Sequence, residues 1–112
     1  MPLRQDYLER LIQRMAEAIA RALGVARAGR HEEGIAILDE AVASGCGLPL
    51  PMLLGLTPET VWSLLGPEKS LSLAEALRTR TTLLMGAGHV EEAKRCEKLA
   101  DALERLREAR RG

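Results

Sequence analysis

Ala28-Gly29-Arg30-His31-Glu32-Glu33-Gly34 and Ala87-Gly88-His89-Val90-Glu91-Glu92-Ala93 are two copies of one short motif. In each copy a glycine follows one helical pattern, and two glutamates open the next. Glycine favours the left-handed conformation that ends many helices. Carboxylates in a first turn stabilise the positive end of the helix that follows. The motif therefore predicts two helical hairpins, each closed by a turn of a few residues.

The composition of the whole chain agrees with an all-α fold. Its 112 residues suit a single domain covering residues 1–112. Hydrophobic residues make up 46% and aromatic residues only 2%, so the core must consist of aliphatic side chains. Strands depend on aromatic and β-branched residues, which are scarce here. We expect helices only, arranged as two hairpins with a short helix inserted between them.

The spacing of the hydrophobic residues predicts about five helices. Their expected ranges are Asp6–Ala28, His31–Ser44, Pro58–Leu65, Ser72–Met85 and Val90–Arg110, with a further short turn near Met52–Leu54. Thr57 is a suitable cap for the third helix because Pro58 and Glu59 follow it. Ser72 and Glu75 have the spacing of a capping box, which predicts the start of the fourth helix.

The two hairpins resemble tetratricopeptide (TPR) repeats. The resemblance rests on Gly29, His31, Gly34, Leu38 and Ala41, and in the second copy on Gly88, Val90, Ala93, Glu97 and Ala100. The copies are 59 residues apart, from Gly29 to Gly88, whereas tandem TPR repeats recur at about 34 residues. The full chain is also similar to a small family of uncharacterised, TPR-like bacterial proteins. This resemblance implies a fold and supplies no activity.

Enzyme and cofactor functions find no support in the sequence. It has no phosphate-binding loop, hydrolase elbow or dinucleotide fingerprint. His31, Cys46, His89 and Cys96 are the only histidines and cysteines, and they lack the paired short spacings of zinc ligands. We therefore predict a non-enzymatic protein without cofactor or metal.

Charge and hydropathy bear on location and partners. The formal net charge is zero, which disfavours a general affinity for nucleic acid or anionic membranes. No signal peptide and no run of about 18 apolar residues is visible. The two cysteines lie far apart and fit a reduced compartment. We expect a cytoplasmic protein that does not bind membranes.

The expected function is that of a structural or protein-interaction module, with homodimerisation as its first use. The apolar face of the first helix is wider than one partner helix requires. Candidate anchors of an interface are Tyr7, Leu11, Met15 and Trp62.

Two other partners are consistent with the arginines. In TPR domains the first helices of the hairpins line a concave surface, so the resemblance implies a site for an acidic peptide across the first and fourth helices. Its candidate residues are Arg14, Arg21, Arg78 and Arg80, since guanidinium groups bind carboxylates well. The alternative is a small regulator that contacts nucleic acid through the arginine-rich C-terminal helix, although aromatic residues for base stacking are scarce.

Overall fold

A computed structural model describes residues 2–111 of the chain, with side-chain surroundings for residues 5–110. Five α-helices and no strand occur over this range, which confirms the all-α prediction. The helices are α1 (Pro2–Arg27), α2 (His31–Cys46), α3 (Leu50–Leu54), α4 (Pro58–Gly86) and α5 (Val90–Arg111). The expected short turn near Met52 is therefore a helix of its own, and the third and fourth predicted helices are parts of α4.

The repeated motif closes both hairpins in the same way. Gly29 and Gly88 adopt φ angles of 86° and 85°, in the left-handed region that favours glycine. The residue after each glycine donates its backbone N–H to a carbonyl five residues earlier: Arg30 to Val25 at 3.0 Å, and His89 to Leu84 at 2.8 Å. This hydrogen bond is typical of a Schellman cap and satisfies a free carbonyl at the helix end.

The hairpins pack side by side around one aliphatic core. Helix α2 lies between α1 and α4, while α5 packs mainly on α4, and the short α3 touches α2 and α5. Helix α5 contributes the buried residues Ala93, Cys96, Leu99, Ala100 and Leu103 to this core. The remaining large and fully buried side chains come mostly from α2, α3 and α4: Leu38, Val42, Leu50, Leu53, Val61, Leu73, Leu77, Leu83 and Leu84.

Gly34 permits α2 to approach both α1 and α4 closely. A methyl group at this position would lie 2.8 Å from the carbonyl oxygen of Ala22 and 2.5 Å from Cδ2 of Leu83. These distances are shorter than van der Waals contact, so only glycine allows α2 to sit against both α1 and α4. The small residue that the repeat motif places here therefore has a direct packing role.

The two copies of the motif also contact each other. Nε2 of His89 lies 2.7 Å from Oε2 of Glu32, which joins the second turn to the start of α2. The ring of His31 lies over Gly86, where a methyl group would approach it to 2.7 Å. The turns of the two hairpins are thus neighbours at one end of the molecule.

A single glycine interrupts helix α4. Gly66 has φ 82° and ψ 168°, outside the helical region, and Pro67 begins the second part of the helix immediately afterwards. The sequence correctly predicts this break and the Thr57 cap, whose hydroxyl accepts the N–H of Thr60 at 3.2 Å. The capping box at Ser72 is wrong, because the helix has already begun at Pro67 and Ser72 lies inside it.

Candidate functional site

An open groove runs along one side of α5. It has a volume of about 640 Å³ and lies between α5, the end of α3 and the start of α4. Leu99, Ala102 and Leu106 line it from α5, and Leu54 and Leu56 line it from the opposite side. Three cations also line it, namely Arg95, Lys98 and Arg105, together with the acidic residue Glu59. The groove is thus an apolar strip bordered mainly by positive charge.

A smaller cleft of about 140 Å³ continues from the groove, since Leu54 and Arg95 line both. Asp39, Glu92, Arg80 and the shared Arg95 supply its charged groups. The pairing of acids and bases makes this cleft close to neutral, in contrast to the groove.

Arg80 is the main buried polar residue of this region, with 8% of its surface exposed. Its Nε donates to Oδ1 of Asp39 at 2.7 Å, and its Nη1 donates to Sγ of Cys96 at 3.1 Å. Its Nη2 lies 3.7 Å from Oε2 of Glu92. Burial alone would lower the pKa of Arg80, but the hydrogen bonds to Asp39 and Cys96 raise it. Arg80 therefore links α2, α4 and α5 as a charged group with its own partners.

Arg78 forms a second link between α4 and α5. Its guanidinium donates to Oδ1 of Asp101 at 2.7 Å and to the carboxylate of Glu104. These hydrogen bonds, with that to Glu104 the larger cause, raise the pKa of Arg78. The same hydrogen bond lowers the pKa of the Glu104 carboxyl. Arg78 thus holds the second hairpin together on its solvent-exposed side.

Neither cysteine has the surroundings of a nucleophile. Burial raises the pKa of the Cys96 thiol, and the hydrogen bond from Arg80 opposes this only in part. Burial likewise raises the pKa of Cys46, opposed by the charge of Lys69. Reactive cysteines have lowered pKa values, because the thiolate is the nucleophile. Both thiols here are in environments that favour the neutral form.

Two of the four arginines predicted to bind a peptide form ion pairs within the chain. Arg78 binds acids on α5, whereas Arg80 points into the interior toward Asp39. Arg14 and Arg21 are exposed on α1 and form no ion pair with any residue whose side chain the structure describes. Two of the four guanidinium groups are therefore already bound within the chain.

The predicted interface anchors fall mostly in the core. Leu11, Met15 and Trp62 are buried within the chain itself, while Tyr7 is 60% exposed. The physical reason for Leu11 and Met15 is that α1 packs against both α2 and α4, whereas Trp62 belongs to the core cluster on α4. Three of the four residues are thus unavailable to a partner in this conformation.

The histidines and cysteines do not converge. Within residues 5–110 no group of three or more metal-ligating side chains could hold a metal ion. His89 binds Glu32, His31 covers Gly86, and Cys96 binds Arg80. Each of these three side chains therefore has a structural contact.

Sequence reasoning missed both the Asp39–Arg80 pair and the groove. Asp39 and Arg80 are 41 residues apart, and no local spacing connects them. The groove left a weak signal: Arg95, Lys98, Leu99, Ala102, Arg105, Leu106 and Ala109 form one stripe at helical spacing. The stripe lines a groove only because α3 lies beside α5 in the fold.

Comparison with known proteins gives no relative: no protein-family model, no curated protein and no solved structure matches this chain. Among residues 2–111, no helix combines the length and the hydropathy that a membrane crossing requires.

Proposed function

We propose that this chain is a non-enzymatic protein-interaction module that holds a segment of a partner protein in the groove along α5. The observation that carries the proposal is the apolar strip of that groove, where Leu54, Leu56 and Leu106 are only half-buried. Uncovered apolar strips with a polar border are typical of protein interaction sites.

The chemistry of the neighbouring residues supports a binding role over a catalytic one. The strongest polar cluster, around Arg80, is internally paired. The thiol within it, Cys96, is buried and has a raised pKa. General acid–base catalysis needs an accessible group that changes its protonation near neutral pH, and catalysis by a cysteine needs an accessible thiolate.

Self-association is the second form of this proposal. The apolar face of α1 supports it less strongly than the sequence suggested, because packing against α2 and α4 buries Leu11 and Met15. A symmetric dimer through the groove would bring two copies of the same positively charged lining together, which includes Arg95, Lys98 and Arg105. We therefore propose that the partner is a different protein, and the homodimer stays a prediction to be tested by sedimentation equilibrium at tens of micromolar protein.

The competing proposal is that the C-terminal end of α5 binds nucleic acid. Two arginines of this end already have contacts within the chain. Arg107 lies 3.4 Å from Glu108, and the guanidinium carbon of Arg110 lies 5.9 Å from the ring centroid of Trp62. Acidic residues also alternate with these arginines along the helix, which weakens the attraction to phosphates.

Photo-crosslinking in the cells that produce the protein tests the main proposal. A photoreactive amino acid replaces Lys98 at the groove or, as a matched control, Arg14 on α1. We expect a discrete protein adduct from position 98 only, and its loss when Ala102→Trp fills the groove. The proposal is wrong if both positions give the same adducts, or if position 98 gives none.

A further inference from the structure

We propose that the segment recognised by the groove is an acidic amphipathic helix, an inference that rests on the proposed interaction function. Three properties of the groove point to this occupant: its length, its apolar floor and the charges on its border.

The length of the groove fits an elongated segment. Its lining residues on α5 extend from Arg95 to Ala109. At a rise of about 1.5 Å per residue, this stretch is about 21 Å long. A helix of about four turns would lie along it, whereas a compact small molecule would fill only part of it.

The floor of the groove is apolar and favours contact with aliphatic side chains. Leu99 and Leu106 line it from α5, and Leu54 and Leu56 line it from the end of α3 and the segment that follows. Helices bind such grooves through apolar residues at i, i+3, i+4 and i+7. The groove therefore selects a partner with a single apolar face.

The border of the groove selects acidic residues on the flanks of that face. Arg95, Lys98 and Arg105 form no ion pair with any residue whose side chain the structure describes, in contrast to Arg78 and Arg80 on α4. Glu59 is the single acid in the lining, so the border carries a formal excess of two positive charges, three minus one. Carboxylates of a bound helix would complement these cations and fix its position along the groove.

The charge also disfavours a second copy of this chain as a symmetric occupant. In a symmetric pair the same patch faces itself, so two linings with a formal excess of two positive charges each would meet. An acidic partner relieves this repulsion, and a basic one increases it.

Isothermal titration calorimetry with two designed peptides tests the inference. The first has about 15 residues, with leucine at i, i+3, i+4 and i+7 positions and glutamate and alanine elsewhere. The second has lysine in place of every glutamate. At about 50 mM salt we expect the glutamate peptide to bind with a Kd in the micromolar range, roughly tenfold more tightly than the lysine peptide. The preference should shrink at about 500 mM salt because screening weakens exposed ion pairs.

A charge-reversal variant identifies the cations responsible. Arg95→Glu/Lys98→Glu/Arg105→Glu should reverse the preference, so that the lysine peptide binds more tightly. The matched control changes the net charge equally on the exposed face of α1: Arg10→Glu/Arg14→Glu/Arg21→Glu should leave the preference unchanged. Circular dichroism verifies that both variants remain helical.

A groove-filling variant tests the apolar strip separately. Ala102→Trp should weaken binding of the glutamate peptide at least tenfold, whereas Ala36→Trp on the exposed side of α2 should leave it unchanged. Together the two variants distinguish recognition of charge from recognition of shape.

Four outcomes overturn the inference. In the first, the lysine peptide binds as tightly as the glutamate peptide, and in the second, the α1 control variant abolishes the preference. In the third, neither peptide binds. In the fourth, neither peptide binds, but a short single-stranded RNA binds through the same three cations. In the first three cases a crosslink from position 98 would still support the interaction function, with a partner of different chemistry. In the last case the nucleic-acid alternative replaces both proposals.

Discussion

The two hairpins close with the same type of turn, but their second helices, α2 and α5, bury different faces. Helix α2 buries Ile35, Leu38 and Val42, whereas the residues 59 positions later on α5 are the polar Lys94, Glu97 and Asp101. The difference follows from the neighbours, because α2 is enclosed by α1 and α4 while α5 packs mainly on α4. The repeated motif thus specifies how a hairpin closes, and the position in the stack specifies which side chains are apolar.

The arginines at equivalent positions show the same contrast. Arg21 on α1 and Arg80 on α4 are 59 residues apart, yet Arg21 is exposed and Arg80 is buried. Arg80 lies where α2 and α5 both meet α4, and each supplies it with a partner. An arginine inside a helical stack is thus tolerated only where neighbouring helices satisfy its donors.

Leu38→Ala and Glu97→Ala give the largest expected difference between the hairpins. Leu38 is fully buried, so truncation should lower the free energy of unfolding by about 3 kcal/mol through lost burial and a cavity. Glu97 is exposed, and the equivalent change should stay within about 0.5 kcal/mol. Urea unfolding followed by circular dichroism measures both, and equal effects would contradict the contrast between enclosed and outer helices.

Gly34→Ala should be the next largest effect, lowering the free energy of unfolding by about 2 kcal/mol. The added methyl group would clash with the backbone of α1 and with Leu83, so the helices must move apart. Gly24→Ala is the control, since a methyl group there has nothing within 4 Å. It should raise the free energy of unfolding by up to about 1 kcal/mol. A stabilising Gly34→Ala would show that the hairpins do not approach this closely.

Arg80→Met compared with Arg21→Met tests the second contrast. Loss of the hydrogen bonds to Asp39 and Cys96 should lower the free energy of unfolding by about 1–2 kcal/mol. The expected loss of stability is moderate because the Asp39 side chain is 43% exposed, so water can solvate its carboxylate when Arg80 is replaced. Arg21→Met should change the free energy of unfolding by less than about 0.5 kcal/mol. If both changes are neutral, Arg80 does not link the hairpins.

The smallest expected effect is a pH dependence of the contact between the turns. His89 forms a hydrogen bond with Glu32, and this bond raises the pKa of His89 above its ordinary value of 6.5. The negative charges of Glu32 and Glu92 raise the pKa further. A raised pKa means that the folded state binds the proton more tightly. The stabilisation is therefore complete below about pH 6.5 and is lost as the pH rises through the raised pKa.

Thermal unfolding of Glu32→Gln measures this contribution. The loss of Tm relative to the unmodified chain should be larger at pH 5.5 than at pH 8.5. Glu91→Gln, at the equivalent position of the second hairpin, is the control and should show no such dependence, since Glu91 contacts Lys94 instead. A Tm loss for Glu32→Gln that is the same at both pH values would mean that His89 and Glu32 are not paired.

The parts of the fold that local chemistry controls were predictable from the sequence. The glycine caps at Gly29 and Gly88, the Thr57 start and the break at Gly66 all depend on residues within one turn of each other. The prediction that a helix begins at Ser72 failed because the helix begins at Pro67. Ser72 lies inside this helix, where there is no helix end to cap.

The candidate site was beyond local reasoning because it depends on tertiary placement. Whether Arg80 binds a ligand or Asp39 is decided by the position of α2. The groove requires α3 to lie beside α5. Charge and spacing could identify candidate arginines, but they could not show which of them the fold itself would neutralise.

The burial of Trp62 beneath Arg110 gives the molecule an intrinsic optical reporter. Trp62 is the single tryptophan of the chain and Tyr7 its single tyrosine. The guanidinium of Arg110 on α5 lies 5.9 Å from the indole on α4, so tryptophan emission reports on the contact between these two helices. Detachment of the end of α5 would admit water to the indole and shift its emission to longer wavelength, while the ellipticity of the other four helices stays the same. The order in which the structure comes apart can therefore be followed without any added label.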